Sequence, residues 1–174
     1  MNETYWTKTL LGVYNYLDNI AGAIDKITLK TALNSFEYSK ANMYKNNVYN
    51  ISNKLIDLAE RKITLINLKL LVDDVLKNIP IKDAVFLINR YFDRLKCKDL
   101  AEKYNISMRT VFRKLTSAEL SFEHRLKVKG YNDLTLNDML KNESWILNYY
   151  NQIKNKKEED FNISSSSLER VVSL

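Results

Sequence analysis

Glycine, proline, cysteine and histidine are nearly missing from this chain of 174 residues. It has three glycines, at positions 12, 22 and 130, one proline, Pro80, one cysteine, Cys97, and one histidine, His124. With so few breakers, and with Leu, Ile, Lys, Asn and Glu abundant, an all-α fold with long segments is expected. Three scattered glycines exclude a glycine-rich phosphate loop. A lone cysteine excludes an intramolecular disulfide and suits a reducing compartment, and a lone histidine far from it excludes a zinc centre. The neighbouring acids Asp73 and Asp74 diverge by about 100 degrees on a helix, so they do not form a metal pair. No catalytic residue, metal ligand or cofactor motif emerges, and the chain does not read as an enzyme. No apolar run approaches the length of a membrane span, and the N-terminus has no basic segment leading into an apolar one. The expected location is therefore cytoplasmic, with no membrane partner.

What is present centres on Cys97 to Leu115, CKDLAEKYNISMRTVFRKL. Leu100, Ala101 and Tyr104 share one face of a short helix from about Lys98 to Tyr104. Asn105 tolerates the left-handed backbone that ends a helix, and Ile106 is the apolar plug behind it. Ser107 is a preferred N-cap, and the helix it opens has Val111, Leu115 and Ala118 on one side and Arg109, Arg113 and Thr116 on the other. The small side chain of Ala101 and the short turn suit a helix-turn-helix, in which the second helix enters the DNA major groove.

Charge is gathered around the same stretch. From Ile81 to Gly130 there are twelve Lys and Arg against six Asp and Glu, a balance of +6 equal to that of the whole chain, while the remainder holds fifteen of each. No acid lies between Ser107 and Ala118. A positive region this local is the footprint expected of a polyanion partner.

The segment from Ile79 to Leu120, IPIKDAVFLINRYFDRLKCKDLAEKYNISMRTVFRKLTSAEL, resembles the DNA-binding region 4 of sigma-70-type factors and their relatives. The landmarks are Pro80 opening a helix, the triplet Arg90, Tyr91 and Phe92, a short loop, the LAEKYNIS segment and the RTVFRKL helix. Asn105 stands where the family usually has Gly, and both accept the same backbone conformation. The resemblance implies double-stranded DNA as partner. Base readout then falls to Met108, Arg109, Phe112 and Arg113, with Arg109 and Arg113 each able to donate two hydrogen bonds to a guanine edge. Phe112 can touch a thymine methyl or fold inward beside Leu115, and the sequence leaves both open. Arg90, Arg94, Lys96, Lys98, Ser107, Lys114 and Thr116 are the candidate phosphate contacts.

The flanking regions also read as helical. Leu10, Val13, Leu17, Ile20, Ile24 and Ile27 alternate three and four apart, the seam of a helix packed lengthwise on another. The polar, Tyr-rich stretch after Asn34 reads in part as a connection. A second long helix, from Val48 or Ile51 to Asn78, carries a broad stripe through Leu55, Ile56, Leu58, Ala59, Ile63, Ile66, Leu70, Val72, Val75, Leu76 and Ile79. Residues 1–79 thus suggest a long antiparallel helical hairpin, used as an intramolecular core or to build a homodimer. Residues 80–130 form the DNA-binding module, whose first helix, Ile81 to Asp93, turns Ala84, Val85, Leu87, Ile88, Tyr91 and Phe92 inward. Its long helix continues to Leu126, bearing His124, Arg125, Lys127 and Lys129, and stops at Gly130. Residues 131–157 read as one C-terminal helix capped by Asn132, Asp133 or Thr135, its aromatic residues serving a core or a protein contact. Residues 158–174 read as a flexible tail.

The expectation is a sequence-specific regulator of transcription that reads the major groove with the helix 108–120. The layout is also similar to small phage-encoded regulators of late transcription, which implies contact with RNA polymerase. A DNA-recognition subunit of a phage packaging assembly, a sigma-like factor, and a motif converted to a protein-binding platform are the alternatives.

Overall fold

The computed structural model describes residues 4–40 and 45–155, with side chains placed for 4–34 and 49–155. Every element among them is helical: α1 (Tyr5–Lys40), α2 (Lys45–Lys77), α3 (Ile81–Leu87) continuing into a π-helical turn (Ile88–Phe92), α4 (Cys97–Tyr104), α5 (Met108–Val128), α6 (Asp133–Met139) and α7 (Ser144–Asn155). The two long helices extend into the stretch expected to be a connection. The expected tail, 158–174, lies outside the described residues.

The chain divides into two compact units, one of residues 1–15 with 70–174 and the other Tyr16–Lys69. In the unit Tyr16–Lys69, Tyr16, Leu17, Ala21 and Ile24 of α1 and Leu58, Leu65 and Leu68 of α2 are buried. Lys62 holds the Asp25 carboxylate at 2.6 and 2.8 Å, and Lys69 pairs with Asp18. The two pairs run in opposite order along the sequence, so these stretches of α1 and α2 are antiparallel. Such solvent-exposed pairs contribute only about 0.2–1 kcal/mol each; the buried apolar rows dominate.

Two expectations about these helices are corrected. On α1 the seam residue Ile20 is only half-buried and Ile27 is exposed. On α2, Ile56, Ile63, Ile66 and Leu70 lie exposed, while Leu65, Leu68 and Leu71 are buried instead. The reason is geometric: Ile56 and Leu58, Ile63 and Leu65, and Ile66 and Leu68 are each two residues apart, about 200 degrees around a helix. A helix with two nearly opposite apolar rows buries only one of them against a single neighbour.

The other unit assembles the start of α1, the end of α2 and the helices after Pro80. Trp6 stacks on Tyr150, with ring centroids 4.2 Å apart, and Tyr14 stacks on Phe92 at 4.0 Å. The Tyr14 hydroxyl donates to Asp73 at 2.6 Å. Gly12 matters here because a Cβ at that position would come 2.7 Å from the Tyr149 hydroxyl oxygen.

Pro80 precedes α3, and its carbonyl accepts from Asp83 and Ala84. Phe86, not Val85, points into the core. The π-helical turn that follows adds a residue to the winding, so no single α-helical register extends from Ile81 to Phe92. The C-terminal region is two helices rather than one. Asn132 caps α6, its Oδ1 accepting from Leu134 and Thr135 at 3.0 Å each. The chain then breaks at Leu140, and the backbone carbonyl of the buried Glu143 accepts from Ile146 and Leu147 to start α7. Leu136, Leu140, Ile146, Tyr149, Tyr150 and Ile153 are buried, so most of the aromatic cluster is core while Trp145 is half-buried.

Candidate functional site

The corner between α4 and α5 is held by backbone chemistry. Asn105 adopts φ 48 and ψ 51, the left-handed conformation. This lets the Ile106 amide reach the Ala101 carbonyl at 3.0 Å and the Asn105 amide reach the Glu102 carbonyl at 3.2 Å, the paired bonds of a Schellman ending. At the other end of α4, Asp99 accepts from the Lys96 amide at 3.0 Å. Ser107 opens α5, its hydroxyl accepting from the Thr110 amide at 3.3 Å. Beneath the corner Phe86, Leu100, Val111 and Leu115 form a buried cluster, edged by Leu95, Cys97, Ala101, Tyr104 and Ile106.

With Val111, Leu115 and Ala118 turned inward, the first two turns of α5 present the opposite face to solvent. Met108, Arg109, Phe112 and Arg113 are all exposed there. Phe112, which the sequence left open, is 52% exposed and does not fold beside Leu115. Met108 and Phe112, like Arg109 and Arg113, are four residues apart, so the four form one patch. Ser107 and Thr116 are exposed on the same helix or its cap. Lys114 is exposed too, but its ammonium lies 5.9 Å from the Phe86 ring centre and leans toward the α3 side.

The remaining phosphate candidates stand before or at the start of α4. Arg94, at φ 57, Lys96 and Lys98 are exposed, and Lys98 faces Glu102 at 4.0 Å. Arg90 differs: it is half-buried, and its guanidinium donates to the Leu95 carbonyl at 3.0 Å, tying the loop to the π-helical turn. The structure therefore gathers Met108, Arg109, Phe112 and Arg113, the residues expected to read bases, on one patch, and places Arg94, Lys96 and Lys98 at the far end of α4, about 12 Å along its axis.

The second half of α5 is anchored by groups that periodicity did not reveal. Glu119 and Glu123, four residues apart, are buried. Tyr91 donates to Glu119 at 2.7 Å, with Lys8 3.7 Å away, and Thr7 donates to Glu123 at 2.7 Å, with Lys127 at 3.3 Å. Burial, with the Glu119 charge next to it, pushes the Tyr91 phenol well above its ordinary range. Asn89 is likewise buried; it accepts from Lys103 at 2.9 Å and donates to the Tyr104 hydroxyl, fastening α4 to the π-helical turn. The burial of these acids and of Asn89 has no sequence signal, since Thr7, Lys8 and Tyr91 lie far away in the chain and Lys103 and Tyr104 across a non-α turn; only the Glu123–Lys127 pair stands at helical spacing.

The basic residues near the end of α5 are engaged within the chain. Arg125 donates to Asn78 at 3.2 Å, Lys127 pairs with Glu123, and Lys129 pairs with Asp74. The hydrogen bond from Lys129 holds the Asp74 carboxyl below its ordinary value. Arg109 and Arg113, at the beginning of α5, are exposed with no acid between Ser107 and Ala118.

Among the described residues, no three His, Cys, Asp or Glu side chains stand together as a metal site, and no helix is long and apolar enough to cross a membrane. Comparison with protein-family models, curated proteins and solved structures returns no match for this chain.

Proposed function

We propose that this chain is a sequence-specific double-stranded DNA-binding regulator of transcription in which α4 and α5 act as a helix-turn-helix following an antiparallel helical hairpin. One observation carries the reading: the first two turns of α5 expose Met108, Arg109, Phe112 and Arg113 with no acid among them, on a helix whose other end is anchored by buried hydrogen bonds. Arg109 and Arg113 donate to guanine edges, and Phe112 and Met108 supply apolar contact to thymine methyl groups. Ser107, Thr116, Lys114, Arg94, Lys96 and Lys98 hold phosphates and fix register. Arg90 acts from behind, by keeping the loop before α4 in shape. Contact with RNA polymerase belongs to the same proposal, through the resemblance of residues 79–120 to sigma region 4.

Selection from a random duplex library at physiological salt tests this. The expected result is an enriched motif that disappears when Arg109 and Arg113 are both replaced by Ala, each guanine contact being worth about 1–3 kcal/mol of discrimination. Weak, salt-dependent binding from the outlying lysines is expected to survive in the double variant. No enrichment with the wild-type chain, or an unchanged motif with the double variant, refutes the assignment.

A further inference from the structure

The α2 row left exposed by the fold is regular. Tyr49, Ile56 and Ile63 are spaced by seven, and Ile56, Ala59, Ile63 and Ile66 alternate three, four and three. Tyr49 is 69% exposed, Ile56 55%, Ile63 57% and Ile66 42%. The row is not a spillover from the core, because Leu58, Leu65 and Leu68 form the buried line nearly opposite it on the same helix. A sustained three-four alternation is the pattern that fits another helix lying along it.

We infer that the Tyr49–Ile66 face of α2 joins the same face of a second copy of this chain as a parallel, in-register helix pair. Three features favour a second copy. Ile56 and Ile63 fall at the a position of the heptad and Ala59 and Ile66 at d, so a second identical helix in the same register matches the row layer for layer. Lys62, which flanks the row, is already compensated by Asp25 of its own unit, so two like faces do not meet as two uncompensated cations. Parallel pairing sets Leu55 beside the partner's Glu60 and Lys62 beside the partner's Asn67, with no like charges opposed. The antiparallel alignment that also matches the isoleucines sets Glu60 against the partner's Glu60 and Lys62 against the partner's Lys62. The four large side chains leave on the order of 400 Å² of apolar surface per copy, roughly 800 Å² over two, which suits a weak and reversible pair. The inference is independent of DNA binding, since association is expected without DNA.

Sedimentation equilibrium of the full chain, without DNA, from low to high micromolar concentration is the test. A monomer–dimer equilibrium with a micromolar Kd is expected. Ile63→Lys and Ile66→Lys, at positions already exposed in one copy, should each weaken it by about tenfold or more while leaving the melting of the dilute monomer unchanged. A monomer at every concentration, a higher oligomer, or a dimer indifferent to both substitutions overturns the proposal. Orientation is read in a Cys97→Ser background, where Ile56→Cys is expected to form an intermolecular disulfide. Antiparallel pairing keeps the two copies of that position about 15 Å apart along the axis, so a dimer that fails to cross-link overturns the parallel register.

Discussion

Two glycines on one helix give a controlled measure of how tightly the C-terminal helix is packed. Gly12 and Gly22 both lie inside α1, and Ala at either site gains about 1 kcal/mol of helix propensity. Their surroundings differ. A Cβ at Gly22 meets nothing within 4 Å, whereas at Gly12 it would stand 2.7 Å from the Tyr149 hydroxyl oxygen, 2.8 Å from Cε1 and 3.1 Å from Cζ. Carbon atoms rest at about 3.5–4.0 Å, so the ring must retreat by nearly 1 Å. Tyr149 is a rigid ring in a buried position, and overpacking of this kind costs about 1–3 kcal/mol. Gly22→Ala should therefore stabilise the chain by about 0.5–1 kcal/mol. Gly12→Ala should fall below it by about 1–3 kcal/mol, because the propensity gain is common to both and cancels. Urea unfolding followed by circular dichroism supplies the comparison, with m-values checked for each variant. In a Tyr149→Leu background the penalty at Gly12 should vanish, as a double-mutant cycle reports. Equal stabilisation by the two alanines would refute the close approach of α7 to α1.

Asn105→Gly should leave stability within a few tenths of a kcal/mol, whereas Asn105→Val should cost about 1–2 kcal/mol and loosen the α4–α5 corner, read from unfolding curves and amide exchange of Ile106. Tyr91 should give an alkaline signature, because its phenol is raised by burial and by Glu119. The fold favours the protonated form, so this contribution is complete below the unfolded value of about 10 and is lost as pH rises through the higher folded value. Tyr91→Phe should flatten that alkaline loss in a stability–pH profile, and an unchanged slope would sink the account.

Much of the candidate site was legible because its signals are local. Asn105 as a helix end, Ser107 as a cap and the inward line of Val111, Leu115 and Ala118 all depend on neighbours within one or two turns. Val85 against Phe86 was not legible, because a π-helical turn breaks the α register that pattern reading assumes. The anchoring of α5 was equally hidden: Thr7 and Glu123 are 116 residues apart in sequence. A helix bearing exposed arginines on its first turns and buried glutamates on its last ones averages to an ordinary charged helix when read as text.

The sequence by itself determined the all-helical class, through its shortage of glycine and proline, and the turn at Asn105, whose conformational preference is intrinsic to the residue. Only tertiary structure decided which of the two apolar rows on α2 is buried, that Phe112 faces outward, and which cations are tied to their own acids. The physical reason is that helix propensity and capping act over a few residues, whereas burial and ion pairing depend on which distant surface arrives opposite. Ile63 and Leu65 are nearly alike in transfer energy; one is solvent-exposed and the other buried because a helix has two sides and α1 covers one of them.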